Sequence, residues 1–301
     1  MSESNNGKDT IKEDSNIELI RLLNENGVKI NAEDLLEEET PLHYAAKHSN
    51  IEMGSLLIKS GVDVNVKDKN DATPLHHAAQ CANIEFVQLL IENGAEINAK
   101  NKNLETPLHS AAIYEKFETG CFLIKKGADV NAGNIYKYTP LHLSTSIPNL
   151  ELSRFLITNG ADVNAINDFK FTPLHFAAVS KNLELGLILL KKGVDVNAKE
   201  DYGKTPFLIA SNEFKNFEFA RFLFENGADI NIKSDDGKTA LHCAARTKNL
   251  KLAQLLVENG LDVNAKSNKG RTPLYYAILN CRFIDEKMEM CKFLAKNGAV
   301  L

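Results

Sequence analysis

Apolar positions along the chain keep time in a short cycle. The stretch IEFVQLLIENG, Ile84 to Gly94, carries Ile84, Val87, Leu90 and Ile91 at helical spacing and closes on a glycine. A shorter run precedes it, TPLHHAA, Thr73 to Ala79, where two small residues follow a Thr-Pro start. A polar break separates the two and often ends in Asn, as at Asn50, Asn83, Asn149, Asn182 and Asn249. After the glycine, a polar stretch of the form GADVNA leads to the next Thr. Each cycle therefore predicts helix, turn, helix and an extended hairpin.

The cycle recurs along the whole chain. Its threonine stands at Thr40, Thr73, Thr106, Thr139, Thr172, Thr205, Thr239 and Thr272, in steps of 33 residues with one step of 34. A glycine stays in phase at Gly61, Gly94, Gly127, Gly160, Gly193, Gly227, Gly260 and Gly298. Thr suits the N-cap, where its hydroxyl satisfies an orphan helical N–H. Pro fits the first helical position, where its missing N–H costs nothing. Gly suits the left-handed residue that ends a helix. Pairs such as Ala45-Ala46 and Ala177-Ala178 let neighbouring first helices approach closely. One unit cannot bury its apolar face alone, so the units must stack into a continuous core.

TPLHYAA (Thr40–Ala46), TPLHHAA (Thr73–Ala79), TPLHFAA (Thr172–Ala178) and GADVNA (Gly160–Ala165) resemble the ankyrin repeat family over about residues 15 to 301. The resemblance implies an all-α solenoid, with a helix-turn-helix and a β-hairpin finger in each 33-residue repeat and a concave binding face. Eight repeats are expected at 37–69, 70–102, 103–135, 136–168, 169–201, 202–235, 236–268 and 269–301. Residues 15–36 read as an N-terminal capping half repeat opened by the capping box Ser15-Asn16-Ile17-Glu18. Residues 1–14 read as a disordered tail.

Some repeats depart from the pattern. The sixth reads TPFLIAS and lacks the His; the seventh has Ala240 in place of Pro. The fourth has Ser144-Thr145 in place of the Ala pair, and its Pro148 should end the first helix early. In the eighth, extra residues near RFIDEK should form a longer loop, and the last helix carries a polar exterior suited to an array's end.

Composition adds limits. The 301-residue chain has a net charge of −5, which does not favour nucleic acid as the partner of the whole chain. No apolar run approaches the ~20 residues of a membrane span. The stretch MSESNNGKDTIKEDSN lacks the apolar core of a secretion signal, so a cytoplasmic setting is expected, the nucleus or a host-cell cytosol being the variants. Five cysteines without CxxC spacing suggest neither a disulfide framework nor a zinc site.

Catalytic motifs are missing. Six of the eight histidines occupy the TPLH slot, where the resemblance implies a hydrogen bond from one repeat to the next turn. No phosphate loop, HExxH, GxSxG or kinase motif occurs. Neither a catalytic residue, a cofactor nor a metal is expected, and the chain reads as a non-enzyme. The repeated Asp-Val-Asn triplets read as structural. The resemblance further implies Asn65, Asn98, Asn131 and Asn164 as targets of an asparaginyl hydroxylase.

In a solenoid, residues one period apart form a surface column, and function is expected where a column varies. The column before each Thr reads Glu39, Ala72, Glu105, Tyr138, Phe171, Lys204, Lys238, Arg271. Two residues earlier stand Tyr136, Phe169 and Tyr202. Apolar first-helix exits Ile113, Tyr114, Ile147 and Val179 fall in the same middle repeats. Half-exposed, five rings of ~150 Å² present roughly 400 Å², a size that invites a partner. A second reading is that the rings brace the hairpins where Lys137 and Lys170 replace the turn glycine. Charge is uneven too: residues 1–39 hold eleven acids and four bases, residues 233–301 seven acids and twelve bases. The leading expectation is a monomeric scaffold or adaptor that binds one protein partner. The partner-binding set is Ile113, Tyr114, Tyr136, Tyr138, Ile147, Phe169, Phe171, Val179, Tyr202 and Lys204. The alternative is single-stranded nucleic acid or a nucleotide, stacked on the rings and met by Lys137, Lys170 and Lys204.

Overall fold

A helix begins at the residue after each Thr, and Thr40, Thr73, Thr106, Thr172, Thr205 and Thr239 stand in extended backbone. In the computed structural model, which describes residues 37–145, 150–213, 216–279 and 287–300, the first helices are Pro41–Lys47, Pro74–Ala79, Pro107–Ile113, Pro140–Thr145, Pro173–Ser180, Pro206–Asn212, Ala240–Arg246 and Pro273–Leu279. The second helices are Ile51–Lys59, Ile84–Glu92, Phe117–Lys125, Leu150–Thr158, Leu183–Lys191, Phe217–Glu225, Leu250–Glu258 and Lys287–Lys296. Asn caps several of these: the side chains of Asn50, Asn83, Asn182 and Asn249 accept the N–H three residues on, at 3.0–3.1 Å. The glycines after the second helices all have left-handed φ, from 81° to 99°.

The chain divides into two units, Met1–Ser144 with Thr158–Ala161, and Thr145–Ile157 with Asp162–Leu301. Within the first, Pro41–Lys47 packs on Pro74–Ala79, which packs on Pro107–Ile113, and the second helices Ile51–Lys59, Ile84–Glu92 and Phe117–Lys125 follow the same order. Within the second, first helices pack in sequence from Pro173–Ser180 to Pro273–Leu279. The small pairs lie at these contacts: Ala78, Ala79, Ala111, Ala112, Ala177, Ala178, Ala244 and Ala245 are buried. The TPLH leucines, from Leu42 to Leu241, are sealed from solvent, each contributing ~2 kcal/mol by burial.

The TPLH histidine works as expected, with added detail. In the third repeat, the N–H of Thr106 donates to His109 Nδ1 at 3.1 Å, and His109 Nε2 lies 3.0 Å from the carbonyl of Tyr138, just before the next Thr. The same bridge runs from His43 to Ala72, His76 to Glu105, His175 to Lys204 and His242 to Arg271. An N–H can only donate and a carbonyl only accept, so each ring is neutral with its proton on Nε2. The Thr hydroxyl turns to the ring in these repeats. Where Leu208 replaces His, the hydroxyl of Thr205 accepts the Leu208 N–H instead, at 3.3 Å.

The hairpins are tight fingers, and no strand is assigned among the described residues. A finger closes with a backbone bond such as Asn134 N–H to Tyr138 C=O, 3.0 Å, and meets its neighbour through one bond such as Lys102 N–H to Asn70 C=O, 2.8 Å. One bond per repeat builds no ladder. Of the remaining expectations, the tail, the capping half repeat, Pro148 and most of RFIDEK lie outside the described residues. The fourth first helix ends at Thr145 with Ser144 and Thr145 buried, and the seventh starts at Ala240 without its Pro. The last helix buries Met290 and Leu294 and exposes Glu289, Lys292 and Lys296.

Candidate functional site

The fingers decide what the chain shows to solvent. A left-handed residue sits in the turn of each: Glu38, Asp71, Leu104, Lys137, Lys170, Gly203, Gly237 and Gly270. In the finger of the fourth repeat, the Asn134 carboxamide oxygen accepts the N–H groups of Tyr136 and Tyr138, both at 3.0 Å. Asn167 repeats this for Phe169 and Phe171. The finger is thus held by its own buried or half-buried polar residue, and the rings take fixed directions.

Those directions separate the five aromatics into two groups. Tyr138 is half-buried and stands edge-on to His142, ring centres 6.0 Å apart. Phe171 packs on His175 at 5.4 Å and on Phe176 at 5.5 Å. These two brace the fingers against their own first helices. Tyr136, Phe169 and Tyr202, one position before the left-handed residue, project outward at 54%, 47% and 69% exposure. The left-handed turn between the two positions reverses the chain, which a flat column cannot show.

In the first unit, Tyr136 is joined as an exposed apolar group by Ile113, Tyr114, Leu104 and Ile135. In the second, Phe169, Val179 and Tyr202 are exposed, and Lys204 is half-buried with its ammonium 5.4 Å from the Tyr202 ring. Ile147 lies outside the described residues. Leu104 carried no signal in the sequence beyond being an apolar residue in a turn.

The hairpin asparagines act as staples. Asn65 donates to the carbonyl of Gly94 at 3.1 Å and accepts the Glu96 N–H at 2.8 Å. Asn98 does the same with Gly127 and Asp129. Asn131 donates to Gly160, and Asn164 accepts from Asp195. The paired Asp caps its own turn, as where Asp63 accepts the Asn65 N–H at 2.9 Å.

One polar cluster had no sequence signal. Glu39, Asp68 and His77, all buried, offer ligand atoms within 4.8 Å of one another. Each is engaged already: Lys47 donates to Glu39, and His77 Nε2 lies 2.9 Å from Asp68. Burial works to raise the Asp68 carboxyl, but hydrogen bonds from His77 and from the N–H groups of Asn70 and Ala72 outweigh it and hold it below its ordinary value. These contacts tie Lys47 to the finger of Glu39 and His77 to the finger of Asp68. Among the other thiols, burial pushes Cys243 up to about 11, which makes it a poor nucleophile at neutral pH.

No helix among the described residues is long and apolar enough to cross a membrane. The family model for ankyrin repeats matches the chain at residues 10–101, 108–200, 141–234 and 207–301. Among curated proteins none matches the chain.

Proposed function

Because the chain belongs to the ankyrin repeat family, whose members generally mediate protein–protein interaction, we propose that it is a non-enzymatic scaffold or adaptor that holds one protein partner through side chains of repeats three to six. The observation that supports this is the outward projection of Tyr136, Phe169 and Tyr202 from fingers whose backbones are tied down. A ring held rigid before binding loses little freedom when covered, so its burial converts efficiently into affinity. Each unit contributes its own share: Ile113, Tyr114 and Tyr136 in the first, Phe169, Val179, Tyr202 and Lys204 in the second. Tyr138 and Phe171 support the fingers from behind.

The test is capture. The full chain would be used as bait in lysate of its native cell, beside a Tyr136→Ala, Phe169→Ala double variant. The wild type should retain one specific protein and the variant should lose it, with an unchanged circular dichroism spectrum. Retention of the same protein by both would remove the tip rings from the binding surface. The nucleic-acid alternative is opposed by the acidic balance of the chain and gains no support from the outward rings alone.

A further inference from the structure

We propose that repeats six to eight form a cleft that takes an extended peptide segment in which carboxylates alternate with apolar side chains. This rests on the protein-binding reading above and names the chemistry of the partner at a place that meets the middle-repeat surface at Tyr202 and Lys204 and continues beyond it.

The cleft lies wholly within the second unit and has a volume of about 550 Å³. Three successive fingers supply its rim. The repeat period brings Lys204, Lys238 and Arg271, each the residue before a helix-capping Thr, to the same cleft, and Lys269 joins them. Four cations therefore face two carboxylates, Asp235 and Asp236. Lys238 is paired with Asp236 at 2.7 Å, while Lys204, Lys269 and Arg271 form no ion pair among the described residues. An anion entering here meets more positive than negative charge, four cations against Asp235 and Asp236.

Aromatic rings hold the cations in place and give the cleft its apolar part. The Lys204 ammonium lies 5.4 Å from the Tyr202 ring and that of Lys238 lies 5.5 Å from the buried Tyr276 ring. The Arg271 guanidinium lies 4.9 Å from the ring of Tyr275. Such contacts order long side chains before a ligand arrives. Gly203 allows Asp235 to sit over the preceding finger, because a Cβ there would stand 2.2 Å from the Asp235 carboxylate oxygen. A second cavity of about 210 Å³ shares Lys204, Asp236 and Lys238 and reaches Leu208 and Arg246. Two neighbouring cavities with three lining residues in common suit an extended chain better than a compact anion.

The mixture of charges selects among polyanions. Asp235 and Asp236 would repel a continuous phosphate backbone but can accept peptide N–H groups. The rings of Tyr202 and Tyr276 offer apolar contact for a side chain between two carboxylates. A peptide with alternating acidic and apolar residues meets all three features.

The test uses the full chain and fluorescence anisotropy with three labelled probes: a peptide alternating Glu and Leu, its counterpart alternating Gln and Leu, and an oligothymidine. The Glu peptide should bind, and the Gln peptide should bind about tenfold more weakly, with the difference shrinking at high salt. A Lys204→Glu, Arg271→Glu variant should weaken the Glu peptide by about tenfold or more. These changes leave the backbone carbonyls that receive His175 and His242 in place. Should that variant lose its fold, Lys269→Glu on the exposed tip gives the same reading with a smaller loss. Equal binding of the Glu and Gln peptides, no binding of either, indifference of folded variants, or preference for oligothymidine would each overturn the proposal. The Tyr136→Ala, Phe169→Ala variant should keep its affinity for the Glu peptide, so failure here and failure of the middle-repeat surface are told apart.

Discussion

Gly186 lies inside a second helix where helix propensity alone favours Ala by ~1 kcal/mol. A Cβ there would stand 2.9 Å from the Phe222 ring and 3.1 Å from the Phe219 ring. Gly54 faces Phe86 more tightly still, at 2.6 Å, and Phe86 is sealed in the core. Overpacking of this kind costs ~1–3 kcal/mol, so packing should win over propensity. Gly54→Ala is expected to lower the urea midpoint, and a midpoint equal to or above wild type would show that Phe86 can yield. The sequence marks the TPLH histidines plainly because their slot repeats. It does not mark these two glycines, whose reason lies in a ring from the following repeat.

At the level of the finger, one column holds residues of opposite conformational cost. Lys137 and Gly237 occupy the same left-handed turn position, with φ of 60° and 77°. A non-glycine residue in this region costs ~1–2 kcal/mol, partly offset by the greater chain entropy that glycine loses on folding. Lys137→Gly should therefore raise stability by roughly 0.5–1 kcal/mol. Gly237→Ala should lower it, since the added Cβ would stand 2.4 Å from the Asn268 carboxamide oxygen and 2.7 Å from its backbone nitrogen. Thermal melts of the two variants should move in opposite directions; movement in the same direction would deny that φ governs this position. The helices, caps and fingers were legible in the sequence because each rests on local chemistry. The division of the five rings was not, because position 136 and position 138 read alike until the left-handed turn between them is seen.

Across the molecule, the repeated histidine links folding to pH. Burial holds His43, His76, His109 and His242 below their ordinary value, opposed in part by the hydrogen bond each makes to a carbonyl, and brings His76 to about 4. The unfolded chain then binds protons more readily than the folded one. The stability these rings contribute is complete above their unfolded value of 6.5 and declines as pH falls through it toward the folded values. For His76 the interval from 6.5 to about 4 corresponds to ~3 kcal/mol. The urea midpoint should fall steadily between pH 7 and pH 4.5, and a flat profile there would mean that the rings protonate without leaving their bridges. The sequence by itself determined the repeat and its helices, since each helix is started and ended by residues close by in the chain and each neighbouring copy supplies the remaining bonds between fingers. Tertiary structure alone decided which rings face solvent and which cations gather around Tyr202 and Tyr276. Exposure and convergence depend on side chains from different repeats meeting in space, and a linear spacing does not encode those directions.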